Sequence, residues 1–231
     1  FYSNLFRYPY QSGQYFFYNK DFDWNELDYI TSHYSAKVTE EIWDGIGLGP
    51  FPKEKFIKTN HHRAHCSLAY YCSGFKEDTL VVSLDAMGEK YSARYFIGSN
   101  GNLQDIGKIH YNFKSLGHYY AMLTEFLGFK RLKDEGKVVG MASHGRFHQE
   151  IYDIFNECIT INGTETDRDN GNVISGGIYE DFYRIWFTKF GSKFTSHLKE
   201  EIAYNGQLVF EEKVLEIFNN LHKKYPHIKK L

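Results

Sequence analysis

The sequence predicts an α/β fold in which three consecutive antiparallel strands pack with helices. Thr79–Asp85 (TLVVSLD) is an apolar, β-branched run of strand length. The stretches YSARYFIG (91–98) and LQDIGKIHY (103–111) follow it, joined through Asn100-Gly101, a pair suited to the positive φ of a tight hairpin. Apolar side chains then return at helical spacing over HYYAMLTEFLGF (118–129), over residues 148–158 and along a stretch from Glu200 to Tyr225.

Taken in order, residues 24–46 (WNELDYITSHYSAKVTEEIWDGI) carry apolar side chains at roughly helical spacing and are expected to be largely helical. GLGPFP is a loop, and KFIKT a short extended piece. HHRAHCSLAYYCSGF is a helix with Asn60 as its N-cap and Gly74 as its terminator. AMGE (86–89) is read as the tight turn between the first two strands. The helix at 118–129 ends at Gly128, and RLKDEGKVVGMASHGRF begins as a loop. ITING is a short strand, and EDFYRIWFTKF (180–190) a further helix.

A chain of 231 residues has room for one large or two modest domains. The net charge of −2 gives no electrostatic ground for a nucleic acid or an anionic membrane as partner. Three cysteines without a CxxC pair read as reduced thiols, not as a disulfide framework. No apolar run approaches the roughly 18 residues of a membrane span, and no basic-then-apolar leader opens the chain. A cytoplasmic protein is expected, with no signal of oligomeric state. The abrupt aromatic opening, and a final helix that breaks at PHIKKL where a buried strand would begin, suggest a piece of a longer polypeptide.

The chemistry-bearing residues begin with HHRAH. His61 and His65 are four apart, so a helix stands them on one face, where two imidazoles can ligate one transition metal. HExxH is absent, so a zinc-protease reading lacks its general base. Spacing alone does not separate a metal pair from two solvated histidines. Asp85, at the end of a buried strand before a glycine-bearing turn, suits a cation beside phosphate-facing amides, or an ordinary hairpin. Ser115-Leu116-Gly117 opens a helix, where N–H groups and dipole favour an anion, or where Ser is a plain N-cap. Gly136-Lys137, with Gly140 and Gly145, suits phosphate or a flexible surface turn, without matching the P-loop. His118, His144 and His148 read as structural or solvated, and Cys66 points away from the face of His65.

Taken together, HHRAHCSLAYYCSGF, VVSLDAMGE, SLGHYYAMLTEFLGF and GKVVGMASHG resemble successive blocks of the nodulation-type O-carbamoyltransferases. That family includes antibiotic-tailoring members, and a homologous domain occurs in a hydrogenase maturation factor. The resemblance covers about residues 55–150. The last helix, EIAYNGQLVFEEKVLEIFNNLHKKYP, resembles the one preceding the family's glycine-rich nucleotide block. The resemblance implies part of a two-lobed actin and sugar-kinase-like fold, with residues 1–54 closing the first lobe or forming an insertion and 55–231 opening the second. It also implies use of carbamoyl phosphate and ATP, through carbamoyl adenylate, to carbamoylate a hydroxyl of a small molecule or sugar. His61, His65 and Asp85 would hold a divalent metal (iron foremost, zinc or manganese otherwise). Gly88, Glu89, Ser115 and Gly117 would lie at the phosphate turn, and Lys137 near the carbamoyl or phosphate groups. The chain departs from the family at Ala86, where Gly is usual, and at Val139 and Met141, which replace Met and Leu. The rival readings are a threonylcarbamoyl-adenosine synthase-like protein, a non-catalytic metal- or nucleotide-binding module and a plain interaction domain.

Overall fold

The computed structural model describes residues 28–45, 50–110, 115–161, 174–175, 186–187 and 196–231. Two compact units divide the chain, Phe1–Ala64 and His65–Leu231.

In the first unit, β1 (Ile30–Ser32) pairs in parallel with β2 (Phe56–Lys58), with Ile30 opposite Phe56. Between them lie helix α1 (Ala36–Gly45) and a 3-10 turn at Lys53–Lys55. The helix expected over 24–46 is therefore interrupted. Ile30 and Thr31 are β-branched and find a strand partner, and Ser35 then starts a new helix. The Ser35 hydroxyl accepts the Val38 N–H at 3.3 Å, while its carbonyl accepts the Thr39 N–H at 2.9 Å. Helix α1 buries Thr39, Ile42 and Trp43, and the Trp43 ring meets Phe51 edge-on at 5.7 Å. Residues 24–27 lie outside the described residues.

Helix α2 runs from His61 to Ser73. Asn60 caps it as expected, its Oδ1 accepting the Arg63 N–H at 3.0 Å, and Gly74 follows its end at φ +74°.

The second unit is built on an antiparallel sheet of β3 (Thr79–Gly88), β4 (Tyr91–Ser99) and β5 (Asn102–His110), in that order. Asn100 and Gly101 take φ +48° and +77° in the hairpin, as the sequence predicts. The first turn differs from expectation. β3 runs on to Gly88, which pairs with Tyr91, so the turn is Glu89-Lys90, with Glu89 at φ +58°. Leu84 faces Ala93 and Gly88 faces Tyr91, leaving Asp85, Ala86 and Met87 opposite Ser92 alone. Asp85 thus sits in a bulge inside the strand rather than at its end.

Alternation along β3 gives each face its own core. Leu80, Ala93, Tyr95 and Ile109 join the larger core with the helices that follow the sheet. Val81, Phe96 and Leu103 instead pack with Cys66 and Tyr70 of α2. A Cβ on Gly98 would come within 2.4 Å of the Tyr70 ring, so glycine there lets α2 settle on the sheet.

Helices α3 (Leu116–Phe126), α4 (Glu135–Ala142) and α5 (Gln149–Cys158) gather around α6 (Ser196–Lys224). The Tyr119 hydroxyl donates to Gly206 O at 2.9 Å, and buried Asn205 bonds both the Arg146 carbonyl and the His148 N–H. Gly128, at φ +87°, ends α3 where expected. The segment GKVVGMASHG is largely helix α4, not an open glycine loop. β6 (Thr160–Ile161) pairs with β7 (Ile174–Ser175). After α6, Lys230 O accepts the Leu80 N–H at 2.9 Å in a parallel bridge, at the place where the sequence expects a strand to begin. Most of the helix expected over 180–190 lies outside the described residues. Among the described residues no helix is long and apolar enough to cross a membrane.

Candidate metal centre

Two elements bring the candidate ligands together. On α2, the spacing of four residues stacks His61 and His65 on one face, next to the Cys66–Tyr70 face that packs on the sheet. On β3, alternation turns Asp85 toward the side carrying Val81, which is the side covered by α2. One nitrogen each of His61 and His65 and one oxygen of Asp85 consequently lie within 4.8 Å of one another. His65 Nε2 stands 3.9 Å from Asp85 Oδ2. The His65 side chain is exposed and that of Asp85 about one-third so, which leaves the centre open to solvent on one side.

The donor set fits a divalent transition ion. Bonds of about 2.0–2.2 Å to N and O place neighbouring donors roughly 3–3.5 Å apart, so the observed spacing closes by small side-chain rotations. Two imidazoles and one carboxylate suit iron, zinc or manganese better than magnesium. They also leave coordination positions for water or substrate.

Around Asp85 the backbone is held from both sides. Its Oδ1 accepts the Ala86 N–H at 2.6 Å. The Ala86 carbonyl accepts the Ser115 hydroxyl at 2.8 Å and lies 3.2 Å from His118 Nδ1. Ser115 is also the N-cap of α3, taking the His118 N–H at 3.1 Å. Gly117 permits this approach, because a Cβ there would stand 2.5 Å from Ala86 N. Burial pushes the His118 imidazole below its ordinary value, while the bond to Ala86 O pulls the other way.

Ser115 and Gly117 thus meet Ala86 directly, beside Asp85. Gly88 is buried at the end of β3, and Glu89 is exposed in the turn. Lys137 lies on α4, where its Nζ pairs with Asp134 Oδ1 at 3.0 Å and stands 5.8 Å from the Phe129 ring centroid. His33, on the loop after β1, meets the His61 ring edge-on at 5.2 Å, a neighbour no local spacing announces. His118 is the other residue that sequence reasoning passes over. Its signal is position: it is the third residue of a helix capped by Ser115, where a side chain can reach back to the cap.

The chain is 28% identical to the uncharacterized protein MJ1058 of Methanocaldococcus jannaschii, over 71% of this chain and 28% of the relative. It is 40% identical to MJ1051 of the same organism, over 39% of this chain and 17% of the relative. The nodulation protein NolO of Bradyrhizobium diazoefficiens is 30% identical over 48% of this chain and 20% of its own length. The chain therefore spans less than a third of the length of these curated relatives. The family described as carbamoyltransferase N-terminus matches residues 20–231, a span containing His61, His65, Asp85 and Ser115. By that match, this chain belongs to the carbamoyltransferase N-terminus family.

Proposed function

We propose that the protein is an O-carbamoyltransferase, acting on a hydroxyl of a small molecule or sugar, with His61, His65 and Asp85 as ligands of a divalent metal. The observation carrying this reading is the convergence of those three donors from a helix and a strand bulge. In this reading carbamoyl phosphate, water and ATP yield carbamoyl adenylate, phosphate and pyrophosphate. The acceptor hydroxyl then attacks the carbamoyl carbon, and AMP leaves. A bound divalent ion supplies charge neutralisation and polarisation of phosphoryl or carbonyl oxygens.

The chain's own groups have simpler tasks. His61 and His65 serve as neutral nitrogen donors, and Asp85 contributes the one negative charge of the set. The positive end of α3, beside Ala86, favours phosphate oxygens near Gly117, with Gly88 and Glu89 at the adjoining turn. Lys137 supplies a mobile positive charge to the carbamoyl or phosphate group on leaving Asp134. No side-chain nucleophile is needed.

The test is the metal content of the purified chain against a His61→Ala/His65→Ala variant. About one transition-metal ion per chain is expected, and its loss in the variant. The full-length protein is then assayed for transfer from labelled carbamoyl phosphate to hydroxyl acceptors with ATP. Equal, negligible metal in the full-length wild type and variant would sink the reading.

A further inference from the structure

The two oxygens of Asp85 have separate tasks. Oδ1 accepts the Ala86 N–H, and Oδ2 faces His65 Nε2. Ala86 is gripped from its other end by Ser115 and His118. The Ser115 proton goes to Ala86 O, so its Oγ acts as acceptor toward His118 Nδ1, 2.9 Å away. Nδ1 therefore carries a proton, shared between Ser115 Oγ and Ala86 O. Gly117 closes the grip, since a Cβ there would also stand 2.6 Å from Ala86 Cα.

This matters because the bulge gives up regular pairing. Three residues of β3 stand opposite one of β4, so the ladder does not by itself fix the Ala86 peptide. Its N–H holds one oxygen of the Asp85 carboxylate. A peptide free to rotate would release Oδ1 and let Oδ2 swing away from the histidines. The fixed peptide pre-sets the carboxylate before any ion arrives.

We propose that Ser115, Gly117 and His118 form a clamp on Ala86 that positions the Asp85 carboxylate for a divalent ion, making Ser115 and His118 positioning residues of the metal centre. The proposal rests on the metal reading above. Groups that orient a ligand from behind typically change metal affinity roughly 10- to 100-fold when removed.

The experiment is a Co²⁺ titration of the chain, read by visible absorption and by competition with a chelator. Ser115→Ala and His118→Ala should each weaken Co²⁺ binding by about tenfold or more and alter the absorption bands. Ser115→Thr, which keeps the hydroxyl, and His118→Asn, which keeps a donor near the place of Nδ1, should restore much of the affinity. Metal-free melting curves identify any variant that fails to fold, and the conservative pair then decides the question. Wild-type Co²⁺ binding that is lost in His61→Ala/His65→Ala but unchanged in Ser115→Ala and His118→Ala overturns the clamp alone. A full-length wild-type protein that binds no Co²⁺ overturns the metal reading and the clamp with it.

Discussion

The start of α3 and the segment around α4 look alike in sequence, since each sets small residues beside a polar group suited to an anion. In space they differ. SLGH at 115–118 is pressed onto the Asp85 bulge, with Gly117 in near contact with the Ala86 backbone. In GKVVGMASHG, a Cβ on Gly136 or Gly140 meets nothing within 4 Å, and Lys137 lies along an exposed face. Only Gly145, past the end of the helix, is in tight quarters, against Glu200 of α6. A glycine carries positional information only when another backbone occupies the space its missing side chain leaves. By that criterion, the first segment is built against the candidate metal site at Asp85. The second sinks Val138 and Ala142 into the larger core and leaves the face carrying Gly136, Lys137 and Gly140 exposed.

The sharpest way to break the comparison is substitution of the glycines. Gly145→Ala would place a Cβ 2.0 Å from Glu200 O, a backbone atom that cannot turn aside. It should destabilise the chain by about 3 kcal/mol or more, lowering the melting temperature, with any residual folded protein retaining its metal affinity. Gly117→Ala meets the Ala86 backbone at 2.5 Å, but the neighbour is a bulge that can shift. A cost of about 1–3 kcal/mol is expected, coupled to a loss of Co²⁺ affinity that Gly145→Ala does not share. Equal metal affinities in the two variants would remove the distinction between the regions.

What was legible from sequence follows the range of the interaction. The hairpin at Asn100-Gly101 and the cap at Asn60 are encoded within a few residues, and both form as expected. The His61–His65 pair needs only a helix. β1 escaped because its partner, Phe56–Lys58, lies beyond any local window, and a helical period covered Ile30–Ser32 as well. The bulge at Asp85 escaped for the same reason. It depends on Ser115 and Gly117, some thirty residues on, and a simple turn at AMGE satisfies the local pattern equally well. The reach of His118 back to the Ser115 cap is local, but its contact with Ala86, 32 residues away, is not.

Gly140→Ala tests the open half of the comparison. The glycine lies inside α4 with no neighbour at its Cβ position, so alanine adds helix preference without a clash. The expected gain is about 0.5–1 kcal/mol, seen as a higher melting temperature with unchanged Co²⁺ affinity. A loss of stability would mean that α4 packs more closely there than the structure describes.

The smallest effect belongs to Lys137, and its sign is set by Asp134. The Lys137 ammonium foremost, and then the Lys130 N–H, hold the Asp134 carboxyl below the usual aspartate value. A carboxyl depressed by folding contributes stability above its unfolded value and loses it as pH falls through the folded one. Lys137→Gln removes the largest part of that contribution and leaves the Lys130 N–H in place. Its melting temperature should therefore lie slightly below wild type near neutrality, with the two curves converging on acidification past the folded Asp134 value. The Lys137 end of the pair is exposed to solvent, so the gap near pH 7 should be small and shrink in high salt. An assay of the proposed carbamoyl transfer in the full-length protein gives the contrast. There Lys137→Gln should lower activity well beyond what so slight a stability change explains, whereas parallel, small changes in both would leave Lys137 a surface partner of Asp134.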